Sequence, residues 1–207
     1  MRRLGFILVF AFLFAPALQA TTVTLTFNRI TANCDENVAG QFFVDVTDVW
    51  PDVKFKFRNS GPVMSSISEI YFYDGSLLGT YSIEDCHPNV NFESLGERTN
   101  PATLPGYNPN KSLLVVLSAT EAENPEPANG VKPGEWVSIG YTLRLNYQAL
   151  LDNLANGEIV MGIHVKAISC NPGGNSSDSF INNPVPEPAT ICLLGFGALW
   201  MFRKRRA

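Results

Sequence analysis

From Val53 to Phe57 the chain reads Val-Lys-Phe-Lys-Phe. That strict alternation of apolar and charged side chains suits an extended strand with one dry and one wet face, whereas a helix would scatter the same residues around its axis. Thr22 to Phe27 alternates in the same way, and Val137, Ile139, Tyr141, Leu143 and Leu145 share one side of the stretch from Trp136 to Asn146. Further strands are predicted at Gln41 to Val49, Ile67 to Tyr73, Leu77 to Ile83, Leu113 to Leu117 and Ile159 to Ile168, divided by turn material such as Asn59-Ser60-Gly61-Pro62 and Asp74-Gly75. Roughly eight short strands with turns between them predict an all-β fold, an antiparallel β-sandwich of jelly-roll or immunoglobulin-like type.

One segment departs from this period. Asn146 to Gly157 offers a capping asparagine, apolar residues at Tyr147, Leu150, Leu151 and Leu154, and a closing glycine, so it predicts one short helix plugging an end of the sandwich. Arg98 to Lys111 and Glu121 to Glu135 read as loops and hold most of the interior prolines, and no repeat of solenoid length occurs.

The two ends differ from the middle. MRRLGFILVFAFLFAPALQA, residues 1–20, has two arginines, an uncharged run from Leu4 to Phe14, and small residues around Ala15, Ala17 and Ala20. This is the layout of a secretory signal peptide, with cleavage expected after Ala20 and the site after Ala17 second. Export places the rest of the chain where disulfides form. Without residues 1–20 and 189–207, 9 Lys+Arg face 19 Asp+Glu, a net of −10. Such a surface repels phosphate backbones, so no nucleic-acid role is expected.

The C-terminus reads PVPEPATICLLGFGALWMFRKRRA from Pro184. The uncharged run from Ala189 to Phe202 would reach about 21 Å as a helix, against a hydrocarbon core of roughly 30 Å. Pro184, Pro186 and Pro188 prevent its extension backwards, while snorkelling by Arg203, Lys204, Arg205 and Arg206, with Trp200 at the interface, helps it hold in a bilayer. The basic cluster would stay cytoplasmic. Residues 191 to 202 are apolar all round, which argues against a helix packed on the domain.

Pro186-Glu187-Pro188, a short apolar segment and a closing basic cluster together resemble the PEP-CTERM sorting signal of exported proteins from Gram-negative bacteria. Pro125-Glu126-Pro127 repeats the tripeptide without either companion, so the three-part order carries the resemblance. It implies recognition by an exosortase, a membrane enzyme that cleaves near the tripeptide, and a final place at the cell surface or in an exopolysaccharide matrix. Gly162 to Ile168 followed by Gly173 to Asn182 also resembles the last strand and linker that precede such tails. The expected organisation is a signal peptide at 1–20, a β-sandwich passenger at 21–170, a flexible linker at 171–185 and the sorting signal at 186–207, with its membrane helix at 189–202. The role expected of the passenger is structural or adhesive. The rival readings are a secreted carbohydrate-binding or carbohydrate-active protein and a periplasmic module tethered to the inner membrane.

Of four cysteines, Cys192 lies in the tail, leaving Cys34, Cys86 and Cys170 for one disulfide. All three pairings are allowed, and Cys86–Cys170 is favoured because Cys170 directly follows a predicted strand and Cys86 sits in a loop. Cys86, His87, His164 and Cys170 have the ligand types for zinc but lack its spacing, so no metal is expected. The carboxylates Asp45, Asp48 and Asp52, and Glu121, Glu123 and Glu126, match no calcium loop. Nothing resembles a catalytic serine elbow, a zincin helix, a phosphate loop or a dinucleotide fingerprint, so neither catalysis nor a cofactor is expected. Tyr71 and Tyr73 share one face of a strand, which glycan stacking or core packing would each explain.

Overall fold

The alternation of Val53 to Phe57 is realised in full. In the computed structural model, which describes residues 20–73, 77–94, 113–119, 126–170 and 174–183, strand Asp52–Asn59 buries Val53, Phe55 and Phe57 completely and turns Lys54, Lys56 and Arg58 outward. Ten strands form in chain order: β1 Thr22–Arg29, β2 Phe42–Val49, β3 Asp52–Asn59, β4 Ser66–Tyr73, β5 Leu78–Cys86, β6 Phe92–Ser94, β7 Leu113–Ala119, β8 Trp136–Leu143, β9 Val160–Cys170 and β10 Gly174–Asn182. All nine neighbouring pairs are antiparallel, in the order β5-β8-β3-β2-β1-β10-β9-β4-β7-β6.

β1 is the fold line of this sheet. Its first half, Thr22 to Thr26, pairs with β2, and its last residues, Phe27 to Arg29, pair with β10. The two leaves on either side of it face each other. Phe42 of β2 meets Phe180 of β10 at 5.0 Å between ring centroids, and Phe72 of β4 lies 5.0 Å from Phe55, 5.7 Å from Phe57 and 4.9 Å from Tyr141. The all-β antiparallel expectation therefore holds.

Two expectations are corrected. The stretch 171–185, read as a linker, contains β10, which lies between β1 and β9 in the middle of the sheet. Its polar composition is accommodated because Asp178 is neutralised by the Arg29 guanidinium at 2.8 Å and accepts hydrogen bonds from Thr31 Oγ1 (2.9 Å) and the Asn33 amide (2.8 Å). The strand expected from Trp136 to Asn146 ends at Leu143, where the chain turns into a helix.

A single helical turn, α1 Glu126–Asn129, precedes β8, and α2 Tyr147–Ala155 follows it. The sequence signals of α2 all act. The Asn146 side chain accepts from the Ala149 amide at 2.9 Å, Tyr147, Leu150 and Leu154 are buried in the core, and Gly157 takes the left-handed φ of 69° beyond the C-terminus. Tyr147 donates its hydroxyl to the Val46 carbonyl at 2.8 Å; burial, with the Asp48 carboxylate nearby, pushes the phenol up to about 12 and keeps it a donor. At the opposite end of the sandwich, buried Gln41 and Asn59 donate to Ser65 Oγ at 2.6 and 3.2 Å, satisfying polar groups that would otherwise be costly to bury.

Candidate functional site

The sorting tripeptide Pro186-Glu187-Pro188, the apolar run 189–202, the basic cluster Arg203 to Arg206 and the leader 1–19 lie outside the described residues. Ala20, the expected cleavage residue, is exposed at the start of the described chain, two residues ahead of β1. Among the described residues no helix is long and apolar enough to cross a membrane.

The cysteines are paired otherwise than favoured. Cys34 is bonded to Cys170, with Cα atoms 5.7 Å apart, and Cys86 is a half-buried free thiol. The reason is topological. Cys86 ends β5, the outer edge of one leaf, while Cys170 ends β9 inside the other. The loop after β1 runs beside β10, where Arg29 donates to the carbonyls of Thr31 and Cys34 and Asn33 Nδ2 donates to the Ser177 carbonyl at 2.8 Å, and this brings Cys34 to Cys170. With Cys170 in the disulfide, the four residues weighed for zinc are not a ligand set.

The two histidines each face a carboxylate on opposite leaves. His87 Nδ1 is 3.7 Å from Glu135 Oε1, and His164 Nδ1 is 3.7 Å from Glu69 Oε1. Glu69 also takes Lys166 Nζ at 3.2 Å and the Tyr71 hydroxyl as hydrogen-bond donors. Burial pushes the Glu69 carboxyl up, but His164 and Lys166 outweigh it and hold the group below its ordinary 4.5. A carboxyl lowered by folding stabilises the fold above its unfolded pKa, and that stability is lost as pH falls through the folded value. Glu69→Gln is therefore expected to cost about 1–3 kcal/mol at pH 7 by leaving buried donors without their charged acceptor. The gap from wild type should narrow as pH falls through the lowered Glu69 value, and urea midpoints that keep the gap constant would contradict this.

Tyr71, Phe72 and Tyr73 are all buried, Phe72 in the main core and Tyr71 and Tyr73 in a small separate cluster with Ile30 and Val160. Half-buried aromatic rings lie on the outer face of the leaf built from β1, β2, β3, β8 and β5. There Lys56 Nζ sits 4.1 Å over the Trp136 ring, and the Arg58 guanidinium lies 4.5 Å over Phe43 while binding Asp45 at 2.9 and 3.3 Å. Burial raises the Asp45 carboxyl, and hydrogen bonds from Arg58 and Thr24 more than reverse it, holding Asp45 low and charged. Gly140 keeps this face open on β8, since a Cβ there would run into the Glu84 carboxylate that crosses to Lys54 at 2.9 Å.

Beside these side chains the turn from Lys132 to Glu135, with Gly134 at φ 86°, forms one wall of a cleft of about 530 Å³. Lys56, Arg58, Asn59, Ser60 and Trp136 line it, and Glu135 is the one carboxylate of its lining, held by the Lys132 amide at 2.9 Å. With Glu135 in the lining and Asp45 paired to Arg58, the cleft is near charge balance and offers ammonium and hydroxyl groups beside a ring. Lys56 falls on the outward side of the alternating stretch Val53 to Phe57, and Arg58 continues it one residue further. Trp136 was not singled out, because its place beside Arg58 depends on the β3–β8 register.

The described chain is thus an antiparallel β-sandwich with a cation-and-tryptophan cleft on one outer face. Its tail carries the PEP-CTERM protein-sorting motif, matched over residues 184–206, directly after the last strand. The motif supports an exported protein sorted at the membrane by an exosortase. No curated protein and no solved structure matches the chain.

Proposed function

We propose that this protein is an exported, non-catalytic matrix component that an exosortase releases or transfers after cleavage near Pro186-Glu187-Pro188. The observation that carries this reading is the sorting motif at 184–206, which begins two residues after β10 ends. The leader takes the chain across the inner membrane, the 189–202 segment holds it there with Arg203 to Arg206 in the cytoplasm, and the sandwich reaches the surface or matrix. Its contact there is an exopolysaccharide, supported by the Lys56, Arg58 and Trp136 cleft, whose ammonium and hydroxyl groups beside a ring offer hydrogen bonds to sugar hydroxyls.

The test is the intact mass of the protein recovered outside the cell from a host with an exosortase. Loss of the residues after the tripeptide is the expected result, and a chain found only in membranes with its tail intact overturns the processing step. The released protein is then passed over immobilised exopolysaccharide of that host. The Lys56→Gln, Trp136→Ala variant should be retained about tenfold more weakly, a loss of one charge and one ring contact. Equal retention overturns the cleft as the contact surface.

A further inference from the structure

The described chain starts at one end of the sandwich, and its last strand runs towards that same end. The Asp48 amide donates to the Thr21 carbonyl at 3.0 Å, which sets the start of the chain beside the β2–β3 turn. The Asn183 amide donates to the Thr26 carbonyl at 2.8 Å, and β10, antiparallel to β1, is there heading towards Thr22. At that end three large apolar side chains stand in water: Trp50 is 66% exposed, Leu145 57% and Val49 38%. They share that end because the Leu143 amide donates to the Pro51 carbonyl at 3.2 Å and the Tyr147 hydroxyl to the Val46 carbonyl, which sets the segment after β8 at the β2–β3 turn. Met64, the other large apolar side chain exposed to this degree among the described residues, is at the far end.

The tether to the tail is short. Six peptide steps from Asn183 to Ala189 span at most about 20 Å, and the four residues of β1 between Thr26 and Thr22 already take up about 13 Å of that. An apolar segment that enters a bilayer at Ala189 along the heading of β10 therefore brings this end of the sandwich against the headgroups. We infer that the Val49, Trp50 and Leu145 tip is a bilayer-contact surface, seated in the interfacial layer while the sorting tail is in the membrane. This rests on the reading of the tail as membrane-held. Tryptophan is suited to that layer, its ring apolar and its N–H a donor to headgroups. Exposed Arg144 flanks the tip, whereas Asp48, whose carboxylate accepts from the Trp50 amide at 3.2 Å, weakens any pull from anionic lipid. The contact is by apolar seating, and zwitterionic lipid suffices.

The three tryptophans supply the test. The chain from Thr21 to Ala207, which contains every strand, is reconstituted in phosphatidylcholine vesicles whose upper acyl chains carry bromine, a contact quencher. Three variants keep one tryptophan each, with the others changed to phenylalanine. The expected result is blue-shifted and strongly quenched emission from Trp50 and from Trp200, with Trp136 on the flank unaffected. Quenching of Trp200 with Trp50 emitting as in water overturns the contact surface and leaves the tail reading standing. Quenching of neither overturns both. Quenching of all three also overturns it, since the domain would then lie on its side. Comparing wild type with Trp50→Phe gives the share of Trp50 by difference, should a single-tryptophan chain fail to fold.

Discussion

The Cys34→Ser, Cys170→Ser chain is expected to lose about 5 kcal/mol of stability, because its disulfide closes a separation of 136 residues. Cross-linking removes conformations from the unfolded chain, and the entropy removed grows with the logarithm of the loop. Domains of this size are stable by about 5–15 kcal/mol in all, so the variant stands close to its folding threshold. Cys86→Ser is the control, expected within about 0.5 kcal/mol of wild type because its thiol is half buried and carries no bond. Urea midpoints check both. A double variant within about 1 kcal/mol of wild type would contradict the pairing, as would alkylation of Cys34 or Cys170 in the folded, unreduced protein. The Arg29–Asp178 pair acts on the same loop, so removing the disulfide leaves residues 30–33 still bound to β10. That predicts one cooperative transition at lower urea rather than early release of the loop.

What could be read from the sequence follows the range of the interactions involved. β3 was legible because its two faces are written in five consecutive residues. α2 was legible because Asn146, the apolar spacing and Gly157 lie within one short segment. The sorting motif is equally local, three parts in a row, and it needs no partner in the folded domain to be seen. β10 was not legible. Ser176, Ser177, Asp178 and Ser179 look like solvated linker until Arg29, Thr31 and Asn33, about 145 residues away, supply the partners that let them be buried. The disulfide failed for the same reason, since choosing Cys34 for Cys170 requires knowing that the loop after β1 runs along β10. The cleft was half legible. The outward cations of β3 are periodic, but Trp136 reaches them only through strand pairing across a gap of some eighty residues of sequence.

Phe72→Ala is expected to cost about 3–5 kcal/mol, the range for removing a fully buried phenylalanine. Phe72 lies where the leaves close on each other, edge-on to Phe55 and Phe57 and tilted against Tyr141, so its loss opens a cavity bordered by three rings from the facing leaf. Those rings are fixed by strands β3 and β8 and cannot collapse inward without breaking backbone ladders. The cost should therefore fall at the upper end of the range, with Phe72→Leu, which keeps most of the volume, losing less than half as much. Urea unfolding of the two variants decides the matter, and equal losses would mean that the leaves are not in rigid contact there. The consequence reaches the termini. β1 serves both leaves and carries the paired exit of the tail, so weakening the contact between leaves frees the end of the sandwich that the sorting tail depends on. A Phe72→Ala chain should accordingly be degraded during export before it is trimmed, and an undiminished yield of trimmed protein outside the cell would show that sorting does not require the closed sandwich.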